Sequence, residues 1–191
     1  MRKFIILAIA ATLLFSAGLV GAQKAAGRQV RSGRGGQSRD ASAQPLATAG
    51  SLTATPSTIT FAANNPGSTV AGNSSATVKW PVTGGFLGTW TLSVYANSSS
   101  FAGCATVPAS AVSVQCNSAT ANSGFLSSAS CSSSSFVTLP STAPGLQVAS
   151  GSEGFGSSSY TVVLNYELTD SWEYIANTSC PLIITYTVNA P

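Results

Sequence analysis

The chain has 191 residues, enough for one domain with extended ends. Charged residues make up 7%, against roughly a quarter in ordinary globular proteins, while Ser and Thr together number 52. This composition excludes a coiled coil or long-helix protein, and the absence of histidine excludes a His-ligated metal site and a Ser-His-Asp triad.

Residues 1–22 read as a secretory signal. Arg2 and Lys3 give a positive start, Phe4 to Phe15 is apolar without charge, and Val20-Gly21-Ala22 offers small residues for cleavage before Gln23. The apolar run from Phe4 to Val20 has 17 residues, short for a membrane span of about 20. The expected location is therefore extracellular, cell-surface or periplasmic, with no membrane span left after cleavage. Residues 23–50 follow as a basic linker. Lys24, Arg28, Arg31, Arg34 and Arg39 sit among Gly, Ser, Ala and Gln, with too little apolar surface to offset the entropy of ordering. A disordered, solvated linker is expected there; docking to an anionic wall polymer or lipid headgroup is the alternative. From Gly50 onward Lys79 stands against Glu153, Glu167, Asp170 and Glu173, a net charge of −3. No face of interleaved basic and aromatic residues is visible, so a nucleic-acid partner is not expected.

Residues 51–191 read as one all-β domain. Short stretches of Val, Thr, Ile, Tyr and Trp alternate with Gly, Pro, Asn and Ser. The expected strands are Ser57–Phe61, Ala76–Val82, Thr89–Tyr95, Ala111–Cys116, Phe136–Leu139, Leu146–Ala149, Tyr160–Thr169 and Cys180–Val188. Their period-two alternation puts Val78, Trp80, Val82, Trp90, Leu92 and Val94 on buried faces, with Lys79 on a wet one. About eight strands in roughly 140 residues fit a two-sheet, immunoglobulin-like β-sandwich; a closed barrel is the alternative. Thr83-Gly84-Gly85 is expected to break a strand. Residues 117–135 read as a long break, and Phe125–Ser135, with seven Ser in 11 residues, as an exposed loop.

Cys104, Cys116, Cys131 and Cys180 are even in number and follow an export signal, so two disulfides are expected. Three pairings are possible. A local Cys104–Cys116 clip, with Cys131–Cys180 tying the Ser-rich loop to the last strand, is the favoured one. A thiolate metal site is disfavoured because no short C-x-x-C knuckle is present.

Little acid–base chemistry is on offer. Glu153, Glu167, Asp170, Glu173 and Lys79 are the titratable candidates, and solvated strand ends are the expected role of Glu167, Asp170 and Glu173. No catalytic residue, metal or cofactor is assigned. Asp170-Ser171-Trp172-Glu173-Tyr174 is more suggestive. Trp172 and Tyr174 are expected first as plugs of a sandwich end. The alternative is a glycan platform, with the aromatics stacking on sugar rings and Asp170 and Glu173 binding hydroxyls. Asn73, Asn97 and Asn177 each begin an Asn-x-Ser/Thr triplet, at a frequency chance explains in so Ser-rich a chain.

Leu52-Thr53-Ala54-Thr55-Pro56-Ser57-Thr58-Ile59-Thr60-Phe61, then Ala76-Thr77-Val78 and Trp90-Thr91-Leu92-Ser93-Val94, resembles the opening of bacterial secreted Ig-like domains of the BACON kind. The resemblance covers the first third of the body and implies a sandwich serving as an extracellular spacer or glycan-contact module. Trp90-Thr91-Leu92 also resembles a WxL wall-binding motif, without the second Trp-x-Leu. The functional expectation is a secreted, non-catalytic surface or matrix protein with a structural or adhesive role. Its expected partners are further copies of itself or surface polysaccharide.

Overall fold

The computed structural model describes residues 5–11, 48–63, 66–85, 88–174 and 180–190, with side chains described within 50–62, 66–83, 88–174 and 180–190. The cleavage site expected before Gln23, most of the expected basic linker and Asn177 lie outside the described residues. The strands are β1 (Ile5–Ala11), β2 (Thr48–Ala49), β3 (Thr53–Thr55), β4 (Thr58–Ala63), β5 (Thr69–Ala71), β6 (Ala76–Gly85), β7 (Thr89–Ala96) and β8 (Ser100–Phe101). They continue with β9 (Cys104–Pro108), β10 (Val112–Phe125), β11 (Ser128–Cys131), β12 (Val137–Thr138), β13 (Leu146–Ser152), β14 (Phe155–Thr169) and β15 (Leu182–Asn189). A 3-10 turn at Ala109–Ala111 joins β9 to β10.

Thirteen of the strands form two sheets packed face to face, as the alternation predicts, and β8 and β9 pair as a separate two-stranded sheet. Sheet A runs β11-β13-β7-β15-β1-β4, and sheet B runs β12-β10-β14-β6-β2, with β3 also on β6 and β5 on β14. Pairing is antiparallel except between β1 and β15. The core fills from the inward row of each strand. Tyr160, Val162, Leu164, Tyr166 and Leu168 of β14 are all buried, as are Val78, Trp80 and Val82 of β6 and Trp90, Leu92 and Val94 of β7. At its centre Trp80 of sheet B meets Trp90 of sheet A edge-on at 4.9 Å, and Tyr160 packs within 4.8 Å of Trp90. Aromatic pairs at such separations contribute beyond the area they bury.

Three tyrosine hydroxyls bridge the layers in two hydrogen bonds. Tyr160 donates to the Ser152 carbonyl at 2.9 Å, and the Tyr166 and Tyr186 hydroxyls meet at 2.9 Å. Burial and the shared contact push Tyr166 well above the ordinary phenol value, and burial takes Tyr186 up to about 12.

Three expectations need correction. Strand β6 runs through Thr83-Gly84-Gly85 instead of stopping, since Gly85 still pairs with Gly156. The break at 117–135 is largely strand. β10 continues to Phe125 through register shifts after Cys116, Ala121 and Ser123, and Ser128–Cys131 is the edge strand of sheet A. The disulfides are Cys104–Cys180 and Cys116–Cys131, with Cα separations of 5.7 and 5.5 Å, not the favoured pairing. The reason is topological. The Ala102 N–H donates to the Pro181 carbonyl at 2.9 Å, so the β8–β9 turn lies beside the start of β15 and brings Cys104 to Cys180. Cys116 of sheet B then reaches the edge strand of sheet A.

Candidate functional site

The turn after β14 is built by backbone and side-chain hydrogen bonds. Asp170 donates its N–H to the Ser68 carbonyl at 2.9 Å and accepts from the Gly67 N–H at 3.0 Å. Its Oδ1 accepts the Ser171 N–H at 2.9 Å, the pattern by which Asp starts a turn. The Asp170 side chain is buried and faces the turn it organises. The Tyr174 N–H closes back onto the Ser171 carbonyl at 3.1 Å. Tyr174 is half-buried against the core, and burial, then Asp170 and Glu173, raise its pKa. Trp172, at the tip, is 85% exposed.

The four residues of this motif therefore divide. Tyr174 plugs the sandwich end, as expected first. Trp172 does not: its ring stands in solvent with the exposed Glu173 beside it. The geometry leaves one aromatic face and one carboxylate for a ligand, while Asp170 is spent on the turn.

The remaining titratable candidates are not brought together. Lys79 is exposed on the outer face of sheet B, in register with Thr161 and Thr53. Glu167 lies on the same face in register with Ser113, about 20 Å further along β14. Glu153 is elsewhere again, between β13 and β14. Its N–H donates to the Gly88 carbonyl at 2.7 Å, its side chain is fully buried, and neither carboxylate oxygen has a hydrogen-bond partner. Burial raises its pKa above the ordinary carboxyl value. Sequence reading gave Glu153 no special place, because nothing in Ser152-Glu153-Gly154 marks it as inward-facing.

Two surface features also escaped sequence reading. A groove of about 440 Å³ on the outer face of sheet B is lined by Thr53, Lys79, Pro81, Asn122, Ser159 and Thr161, among others. Around it the strands are laced by neutral pairs. Asn122 donates to Thr161 Oγ1 at 2.8 Å, the Ser123 and Ser159 hydroxyls meet at 2.8 Å, and Ser75 donates to Asn165 Oδ1 at 2.6 Å. At one end of β14, Phe125 and Phe155 lie 6.3 Å apart, both exposed, beside exposed Leu126 at φ 64°.

All four cysteines are paired, and no cluster of His, Cys, Asp and Glu among the described residues has metal-binding geometry. Two disulfides fit a non-cytoplasmic location. No helix among the described residues is long and apolar enough to cross a membrane. No protein-family model, curated protein or solved structure matches the chain.

Proposed function

We propose that the chain is a secreted, non-catalytic structural or adhesive protein that works at a cell surface or in a matrix through its sparsely charged sheet faces. The carrying observation is the lacing of the solvent side by hydroxyl and amide pairs where most proteins place charges. Self-repulsion between copies is then weak, and strand edges and flat faces can associate side by side. The BACON-like opening strands agree with a spacer role of this kind. The deciding measurement is light scattering on oxidised Gln23–Pro191 over a concentration series. The molar mass should rise with concentration and change little with added salt, since neutral contacts are not screened. A strict monomer at all concentrations overturns self-association.

A second reading, glycan binding, rests on the 85% exposure of Trp172 beside Glu173. An indole ring free in solvent is suited to stack on the apolar face of a sugar. Trp172→Ala should abolish retention on an immobilised polysaccharide while leaving stability within about 0.5 kcal/mol, because the ring supports no core contact. Unchanged retention removes this reading.

A further inference from the structure

Strand β1 lies wholly within the segment that the sequence marks for removal on export. It sits between β15, parallel, and β4, antiparallel. Leu7 is in register with Phe61, Ile9 with both Ile59 and Leu182, and Ala11 with Ile184. Those partners are all buried core residues. The intervening positions, Ile6 and Ala10, register with Ala62, Thr58 and Ile183, which are exposed. Ala8, between them, registers with half-buried Thr60, and over Leu7–Ala10 large and small aliphatic residues alternate in step with the rows of both neighbours. Removing it leaves β4 without six main-chain register partners and β15 without three. The position left is one strand wide, with β4 and β15 about 10 Å apart.

We infer that the processed chain offers this position, between β4 and β15, as an acceptor for an extended aliphatic strand of a different polypeptide. The inference rests on the export reading above. The occupant's chemistry follows from the walls. Strands β4 and β15 carry no charge, and the strand that fits between them is aliphatic at all seven positions, Ile5 to Ala11. Main-chain pairing on both sides would supply affinity, and the larger Leu7 and Ile9 against the small Ala8 and Ala10 would supply register. A second processed copy is a poor donor. Its residues 23–47 contain Val30 and Leu46 as their only large aliphatic side chains, too far apart to occupy neighbouring inward positions. Capture of a partner strand deepens the structural role, because it would join the domain to another protein through backbone pairing.

The test uses the protein recovered after export and a synthetic peptide of residues 4–12 carrying terminal lysines for solubility. N-terminal sequencing comes first. A chain still starting at Met1 would mean the strand stays in place, and would overturn both the export reading and the inference. With Gln23 as the first residue, the peptide should bind saturably and raise Tm by about 5 °C at a hundredfold excess over Kd. A peptide of the same composition with Leu7 and Ala8 exchanged, and Ile9 and Ala10 exchanged, should do neither. Register gives a second readout. Ile183→Cys in the protein should form a disulfide with the peptide carrying Ala10→Cys, and not with one carrying Ile9→Cys. Processed protein that neither binds the peptide nor cross-links in this register overturns the acceptor position and leaves the export reading standing.

Discussion

Glu153 shows what one residue costs when it has no partner. A carboxylate buried without hydrogen bonds is disfavoured in its charged form, so its pKa is raised in the folded chain. The unfolded chain gives up the proton near the ordinary value of 4.5, while the folded chain still holds it. Over that window the folded state binds more protons, and stability falls as pH rises until the folded group also ionises. Glu153→Gln removes the titration. Urea unfolding should show the parent losing stability as pH rises above the ordinary carboxyl value of 4.5, and the variant losing less. Identical pH profiles for the two would mean that the carboxylate reaches water or a cation. Nothing in the sequence announces this residue: its neighbours Ser152 and Gly154 are those of an ordinary solvated turn. Trp172 is the reverse case. Its place between two strong strands favours a buried plug, yet the ring stands free in solvent at the tip of the turn.

Among elements, legibility followed side-chain contrast. Strands β6, β7, β14 and β15 alternate large apolar with polar residues, and their inward faces could be read residue by residue. The second half of β10 and all of β11 could not. Their residues are Ser, Ala, Thr, Asn and Gly, which show no contrast between faces, and their strand character comes from backbone pairing with β14 and β13. Small residues have a packing reason there. At Gly151 of β13 an added Cβ would collide with the Ser128 carbonyl oxygen and lie 2.6 Å from the Trp90 ring. Neither neighbour can retreat easily, since one is the backbone of the paired strand and the other is at the aromatic centre. Gly151→Ala should therefore destabilise the domain by about 2–3 kcal/mol through overpacking, seen as a lower urea midpoint. The change should also weaken near-ultraviolet aromatic dichroism, because the clash falls on Trp90. An unaltered midpoint would show that β11 can slide away at no cost.

At the scale of the whole molecule, the two disulfides do different work although each joins separate parts of the fold. Cys104–Cys180 spans 76 residues and ties the β8–β9 hairpin to the first residues before β15, so its loop encloses β10 through β14. Cys116–Cys131 spans 15 residues and fastens the edge strand β11 of sheet A to β10 of sheet B. Spacing along the chain could not choose between the three pairings, because the choice depends on which turn is folded beside which strand. In the chain-entropy account the long loop contributes about 4.5 kcal/mol and the short one about 3 kcal/mol. The difference in reach matters more than the difference in size. Replacing Cys104 and Cys180 by Ala should lower global stability by the larger amount and raise amide exchange throughout both sheets. Replacing Cys116 and Cys131 by Ala should also cost global stability. Its added exchange should concentrate in Ser128–Cys131 and the facing residues of β13, because an edge strand held by few contacts opens locally before the sandwich does. Uniform exchange in both variants would mean that β11 opens only with the whole domain, and that the edge is as firmly built as the centre.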